Sequence, residues 1–340
     1  MKRHVNIPIF IPHLGCKNAC VFCNQRRISG KSEFDITSVE GELERAVSTI
    51  DYERCEVEIA FFGGSFTGID RGDMLYLLGL AKKYIELGLA QAVRISTRPD
   101  YIDDEILDIL AEYKVTDIEL GLQSMSDRVL IASKRGHTAE CARNACRLIN
   151  SRGFRLVGQM MIGLPESTLA DELATADEIA GLCGAARIYP TVVFRDTELC
   201  TMESYTPLCM SDAVMRSEEV LNLFIGRGIP VIRLGLCAAD NLFEPGTIVG
   251  GAYHSAFGEF VYGEHYYRVM RDYIALHGLA DEIRGKNITI YVPVGETSKA
   301  SGQKRANKLR LQNEYNVKNV RIIENPELFW YNIKIEYDRH

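Results

Sequence analysis

Between residues 7 and 195, short β-like runs alternate with helical stretches six times. This alternation restricts the fold more than any other feature of the chain. The candidate strands are Ile7–His13, Val57–Phe62, Ala92–Thr97, Asp117–Leu122, Arg155–Ile162 and Arg187–Phe194. Between them stand helix-period segments such as RGDMLYLLGLAKKYIEL, DEILDILAEY and LADELATADEIAGL. Strands in series, each followed by a helix, pair in parallel through right-handed crossovers. An α/β chain built as a partial (β/α)6 barrel of the TIM type fits best; an open doubly wound sheet is the alternative. In a barrel, the reactive positions lie at the carboxyl ends of the strands. The unusual segments fall there: a cysteine loop after strand 1, GGSF (63–66) after strand 2, STRPD (96–100) after strand 3 and LQSMS (122–126) after strand 4. IGLPES (162–167) follows strand 5, and YPTVVF (189–194) overlaps the end of strand 6.

The cysteine loop, GCKNACVFCNQ, sets Cys16, Cys20 and Cys23 at C-x3-C-x2-C. Three thiols are too few for a closed structural zinc site and an odd number for disulfides. A [4Fe–4S] cluster normally takes four thiolates, so three on one loop leave one iron open to an outside ligand. The alternative is a zinc ion on three thiolates completed by His13 or His4. The start of the chain, MKRHVNIPIFIPH, has only a short apolar stretch broken by Pro8 and Pro12, and reads as a first strand rather than a signal peptide. No run of eighteen apolar residues is present, so no membrane span is expected. The expected compartment is the cytoplasm, where clustered thiols hold metal or do redox work. Cys55, Cys141, Cys146, Cys183, Cys200, Cys209 and Cys237 show no C-x2-C pairing and read as free buried thiols. A second cluster on Cys200, Cys209 and Cys237 is the alternative.

The C-x3-C-x2-C triplet, the aromatic Phe22 just before its last cysteine and GGSF after the second strand resemble the radical SAM superfamily, over roughly residues 5–240. The resemblance implies a partial barrel whose Cys16, Cys20 and Cys23 bind three irons of a [4Fe–4S] cluster. The fourth iron then chelates S-adenosylmethionine, which is cleaved reductively to a 5′-deoxyadenosyl radical. It also implies an electron donor such as a flavodoxin or ferredoxin. Gly63, Gly64 and Ser65 would let the backbone approach the methionyl ammonium, because small residues admit close contact. Phe22 would pack near the adenine, and Ser96, Gln123 and Arg135 match positions that reach ribose or carboxylate. Gln159 stands where the coproporphyrinogen oxidase relatives carry an aspartate. Met160, Met161 and Ile162 read as barrel wall. Tyr189 and Thr191, at the end of strand 6, lie where a substrate would sit, with Tyr189 the candidate catalytic residue. His254, Glu259 and His265 invite a metal reading, but polar residues in an aromatic loop are more often structural.

Within the superfamily, STRPDYIDDE, LGLQSMSDRVL, SKRGHT, GFRLVGQMMIGLPES and RIYPTVVFRDTEL resemble the radical SAM domain of the Elongator catalytic-subunit family. That family modifies wobble uridines in tRNA, using a second, acetyl-CoA-handling domain. No Gly-rich acetyl-CoA loop stands in the last hundred residues here, so uridine carboxymethylation is not inherited with the resemblance. An enzyme acting on RNA, with tRNA the expected class, is the leading reading. A radical SAM enzyme on a small molecule or tetrapyrrole, and a non-catalytic iron–sulfur RNA-binding protein, are the alternatives.

The expected domains are residues 1–280, the barrel with an extension, and residues 285–340, a small α+β module. From Arg284 to the end, eleven Lys/Arg face six Asp/Glu, while the whole chain carries −7. A basic tail on an acidic body hints at an anionic partner. Residues 288–324 read as strand, short helix, GQKR loop, second helix and strand, with a further strand in LFWYNIKIEYD. This order resembles a KH domain, whose G-x-x-G loop clamps a nucleotide backbone. Gly302 would begin the loop, and Lys304, Arg305, Lys308 and Arg310 would face phosphates. Arg305 at the fourth loop position needs a backbone conformation open to non-glycine residues. A small lid packed on the barrel is the other reading of this segment.

Overall fold

The computed structural model describes residues 2–11, 14–16, 20–24, 34–236, 242 and 244–338. It divides into two compact units. The first holds residues 1–208 and 223–253, the second residues 209–222 and 254–340.

The first unit is built on seven strands: β1 (Arg3–Ile11), β2 (Cys55–Gly63), β3 (Ala92–Thr97), β4 (Asp117–Gln123), β5 (Arg155–Ile162), β6 (Ala185–Pro190) and β8 (Val231–Leu234). They lie side by side in that order, and every neighbouring pair is parallel. A doubly wound sheet would reverse its strand order at a switch point. An unbroken order is single winding, the arrangement of a partial barrel. The expected six strands become seven because IPVIRLGLC, whose Val231–Leu234 pairs with β6, continues the sheet. Strand 1 begins earlier than expected, at Arg3, and Val192–Phe194 leaves the sheet as β7 to pair antiparallel with β9 (Ile248–Gly251).

Side-chain alternation explains the layers. Ile7, Ile9 and Ile11 of β1 are buried at every second position, whereas Val57–Phe61 of β2 and Val93–Ile95 of β3 are buried on both faces. The main crossover helices of the first unit are α1 (Val39–Val47), α2 (Arg71–Glu86), α3 (Asp104–Glu112), α4 (Asp127–Ala132), α5 (Ala139–Ser151) and α6 (Leu169–Leu182), followed by the short α7 (Glu198–Thr201). Their starts are set locally. Asp70, Asp103 and Thr138 accept hydrogen bonds from first-turn amides, and Thr168 forms a capping box with Asp171.

The second unit joins three strands, β10 (Asn287–Val292), β11 (Asn319–Glu324) and β12 (Lys334–Tyr337), in the order β11-β10-β12. β10 is parallel to β11 and antiparallel to β12. Helices α9 (Phe257–Leu276), α10 (Thr297–Ser301) and α11 (Ala306–Tyr315) belong to it. Its continuous part starts at His254, ahead of the boundary expected near residue 280. The reason is packing: Tyr266, Tyr267, Met270 and Ile274 of α9 share one core with Ile288, Ile290, Val292, Leu311 and Ile335. Helix α9 cannot leave that core without exposing it. Helix α8 (Met210–Gly226) contributes residues 210–222 to this unit.

Candidate active site

The cysteine loop closes against the end of β2. The Gly64 amide donates to Ile11 O at 2.7 Å and the Ser65 amide to Leu14 O at 3.1 Å. Only glycine permits this approach. A Cβ on Gly64 would stand 2.0 Å from Leu14 O, and one on Gly15, whose φ is +76°, 2.2 Å from Ser65 O. GGSF therefore admits the loop's own backbone, a role the sequence reading had given to the cofactor alone.

Farther along, Cys23 N donates to Cys20 O at 3.0 Å and Val21 N to Ser133 O at 3.2 Å, while Leu199 N donates to Val21 O at 2.8 Å. Cys16 is exposed, Cys20 buried and Cys23 half-buried. Phe22 packs half-buried beside Val21, Val193 and Leu199. Among the described residues, no three His, Cys, Asp or Glu side chains converge as ligands to a single ion. The thiolates around a four-iron cube stand farther apart than those around one ion. His4 does not complete a zinc site, because it lies on the amino half of β1 and pairs with Glu58 at 3.4 Å. His13 lies outside the described residues, as does Cys237.

Two arginines gather on Cys20. Arg135 Nη1 donates to its Sγ at 3.2 Å and Arg98 Nη1 at 3.8 Å. Arg98 is gripped by Asp100 through two bonds, 2.8 and 3.0 Å, and also donates to Arg135 O. Arg135 Nη2 reaches Gly121 O at 2.5 Å. Arg135, expected to reach the cofactor's ribose or carboxylate, divides its Nη donors between a cluster cysteine and β4, and its buried Nε meets no acceptor in the protein. Beside it, His137 is buried. Burial first, then the Arg135 charge, lowers its pKa to about 4, so it is neutral at pH 7. Arg98, Asp100 and His137 were not singled out from sequence, although STRPD and SKRGHT contain them. Their roles need the tertiary contact between β3, β4 and the cysteine loop.

The remaining candidates lie around the strand ends. Ser65 Oγ, Ser96 Oγ and Gln123 Oε1 are buried and meet no protein partner. Gln123 has a left-handed φ of +65° at a register shift in β4. Buried polar atoms are almost always satisfied, so three orphans at the ends of β2, β3 and β4 suit a polar cofactor. Gln159 is half-buried on β5, in register with Gly121 and Arg187. Met160 and Ile162 are fully buried, while Met161 is half-buried. Tyr189 accepts from Arg187 Nη1 at 3.2 Å. Thr191 is buried and donates to Ile162 O, a strand-end contact.

The radical SAM superfamily model matches residues 10–179, half of the chain. The chain belongs to the radical SAM superfamily. This radical SAM protein is 31% identical over 208 residues to the uncharacterised protein MJ0486 of Methanocaldococcus jannaschii, covering 58% of this chain and 63% of that one. It is 31% identical over 134 residues to Elongator complex protein 3 of Schizosaccharomyces pombe, covering 36% of this chain and 25% of that one. Over 115 residues it is 31% identical to the tRNA uridine(34) acetyltransferase of Methanocaldococcus infernus, covering 33% and 22%. The chain thus spans less than two thirds of each of these relatives. The archaeal Methanocaldococcus infernus Elp3 with an N-terminal deletion superposes with a TM-score of 0.59 at 19% identity, over 82% of this chain and 64% of that one. That likeness shows the partial-barrel fold.

Radical SAM proteins use a [4Fe–4S] cluster and S-adenosylmethionine, and the residues here fit them: three loop thiols, two guanidiniums at one of them and three orphaned polar atoms. When bound, the pair supplies a carbon radical capable of abstracting hydrogen.

Other expectations can be placed. Cys146 and Cys183 are buried, and the hydrogen bond between them, then burial, holds the Cys183 thiol far above its ordinary range. Cys200 and Cys209 are exposed rather than buried. His265 is buried against Glu218 at 3.3 Å and edge-on to Tyr331, and His254 accepts from the Ala256 amide. In the second unit Gln303, Lys304, Arg305 and Ala306 are exposed and Lys308 is half-buried. Lys304 and Arg305 are both left-handed, with φ of +53° and +64°. The fourth loop position thus takes a conformation that favours glycine, against the expectation for an arginine. Arg310 does not face outward to phosphates, because it makes two bonds to Glu264 and stacks 3.4 Å above the Tyr267 ring. Among the described residues, no helix is long and apolar enough to cross a membrane.

Proposed function

We propose that this radical SAM protein reductively cleaves S-adenosylmethionine and uses the radical to modify RNA, with tRNA the class of substrate. The observation that carries the reading is where the resemblance falls. The segments shared with the Elongator catalytic-subunit family include the loops that follow β3, β4, β5 and β6 and border the site, together with β5 itself and the end of β6. Cys16, Cys20 and Cys23 hold the cluster as thiolates. Ser65, Ser96 and Gln123 hydrogen-bond the cofactor's polar groups, and Phe22 walls its apolar side. Tyr189, held by Arg187, faces the substrate as a proton donor or acceptor. The exposed loop of Gly302, Lys304 and Arg305, with Lys308 behind it, holds the RNA backbone.

The deciding experiment compares modified nucleosides, by mass spectrometry, in tRNA from cells with and without the gene. One nucleoside should vanish on deletion and return with the wild-type gene but not with Cys20→Ala. In vitro, the reduced, reconstituted protein should form 5′-deoxyadenosine, and Cys20→Ala should form none. Cleavage without any altered nucleoside in any RNA would leave the radical chemistry standing and overturn the RNA assignment.

A further inference from the structure

Barrel interiors are usually filled by branched aliphatic side chains. Here the amino-terminal mouth of the sheet holds a cavity of about 620 Å³, half of whose lining residues are charged. That volume suits a small organic ligand. On its wall, Arg94 of β3 pairs with Glu58 of β2 at 2.9 Å, and behind the wall it stands 3.9 Å from Glu119 of β4. Glu119 pairs with Arg187 of β6 at 3.0 Å, and Arg187 donates to the Tyr189 hydroxyl. This ladder runs from the amino mouth to the carboxyl end of β6.

Glu58 is 1% and Glu119 3% exposed. Buried ion pairs of this kind are no more stabilising than packed apolar residues, so stability does not account for them. Burial raises the Glu119 carboxyl above its ordinary range, although Arg187 and Arg94 pull the other way. The cavity wall holds three guanidiniums, Arg94, Arg155 and Arg187, and three carboxylates, Glu56, Glu58 and Asp117, with Arg94 paired to Glu58 and Arg155 paired to Asp117 at 2.6 Å. Arg94 Nε is buried and meets no acceptor.

A simple anion in this space would face the carboxylates, and a simple cation the guanidiniums. A molecule bearing both charges a few bonds apart can meet both sets. We propose that the amino-terminal mouth binds a small zwitterion of the α-amino-acid type, at a site distinct from the cluster end of the barrel. Arg187 lines this mouth and also holds Tyr189, so the ligand reaches the active end through one side chain.

The test uses the full chain, titrated calorimetrically with the standard L-amino acids and with inorganic phosphate. The best ligand is then compared with its amine lacking the carboxylate and its acid lacking the ammonium. One or a few amino acids should bind and raise the unfolding temperature, and both truncated forms should bind at least about tenfold more weakly. Arg94→Gln should weaken binding to a similar degree. Should it fail to fold, Arg155→Ala carries the test, because that side chain is 69% exposed. The site is refuted if no amino acid binds, if either truncated form or phosphate binds as well as the zwitterion, or if Arg155→Ala binds like wild type. This outcome is independent of the RNA reading, which rests on nucleosides rather than on this ligand.

Discussion

Cys20 differs from its two partners in the loop because it is buried between guanidiniums. A positive donor at a cluster sulfur favours the reduced, more negative cluster and raises its potential. Arg98→Met should therefore lower the midpoint potential of the reconstituted cluster, by tens of millivolts on the order expected for one lost charge-assisted bond. A redox titration followed by electron paramagnetic resonance checks this, and an unchanged potential would remove Arg98 from the cluster's surroundings. His137 makes a separate prediction. Its folded pKa of about 4 lies below the ordinary 6.5, so between those values the unfolded chain binds a proton that the folded chain refuses. Nothing is lost above pH 6.5. As pH falls toward 4, stability drops by up to roughly 3 kcal/mol. In His137→Phe this part of the acid sensitivity should disappear, which thermal unfolding of the metal-free protein at pH 7 and pH 5 will show. The three cysteines were legible because their spacing is itself the chemical constraint. Arg98 and His137 were not, because a guanidinium or imidazole has no local signature and acquires its role only when distant loops meet.

At the level of elements, the tightest packing of the cysteine loop is backbone on backbone. The loop after β1 enters the turn after β2 so tightly that Gly64 has no room for a methyl group. Gly64→Ala must move Leu14 or the turn itself. It should cost at least about 2 kcal/mol of stability and lower the iron bound per chain. A variant that kept both iron content and unfolding temperature would mean that the turn yields easily. GGSF was legible as a motif, but its first duty was not, since nothing in four residues tells which backbone will approach them. The strands show the same division. Alternating and continuous apolar runs marked the six strands, β3 and β5 to the residue and β4 to within one. The seventh lies outside the six repeats and joins the barrel only through its pairing with β6, because periodicity says how a segment folds and not what it pairs with. Arg187–Phe194 was read as one strand, although its last three residues leave the sheet to pair with β9.

For the whole molecule, the charge asymmetry seen in sequence changes meaning once the compact units are known. Eleven cations against six acids from Arg284 onward suggested a basic module. The second unit, with residues 209–222 and 254–340, contains fourteen Lys/Arg and fourteen Asp/Glu and is neutral. Several of its cations are already matched: Arg310 by Glu264, Arg268 by Glu218 and Glu219, and Arg271 by Glu314. A domain-wide basic field therefore cannot be what attracts RNA to this unit. If the exposed loop holds a single strand, the contact rests on Lys304, Arg305 and Lys308. Neutralising about three phosphates gives a slope of log affinity against log salt near −2 for single-stranded RNA, far shallower than that of a basic nucleic-acid-binding surface. Changing Lys304 and Arg305 to Asp should weaken binding and flatten the slope by at least about one unit. Both quantities come from fluorescence anisotropy at several salt concentrations. A steep slope in the wild type, or one unmoved by the double substitution, would assign RNA binding to cations of the first unit instead. The loop would then be only the turn that joins α10 to α11.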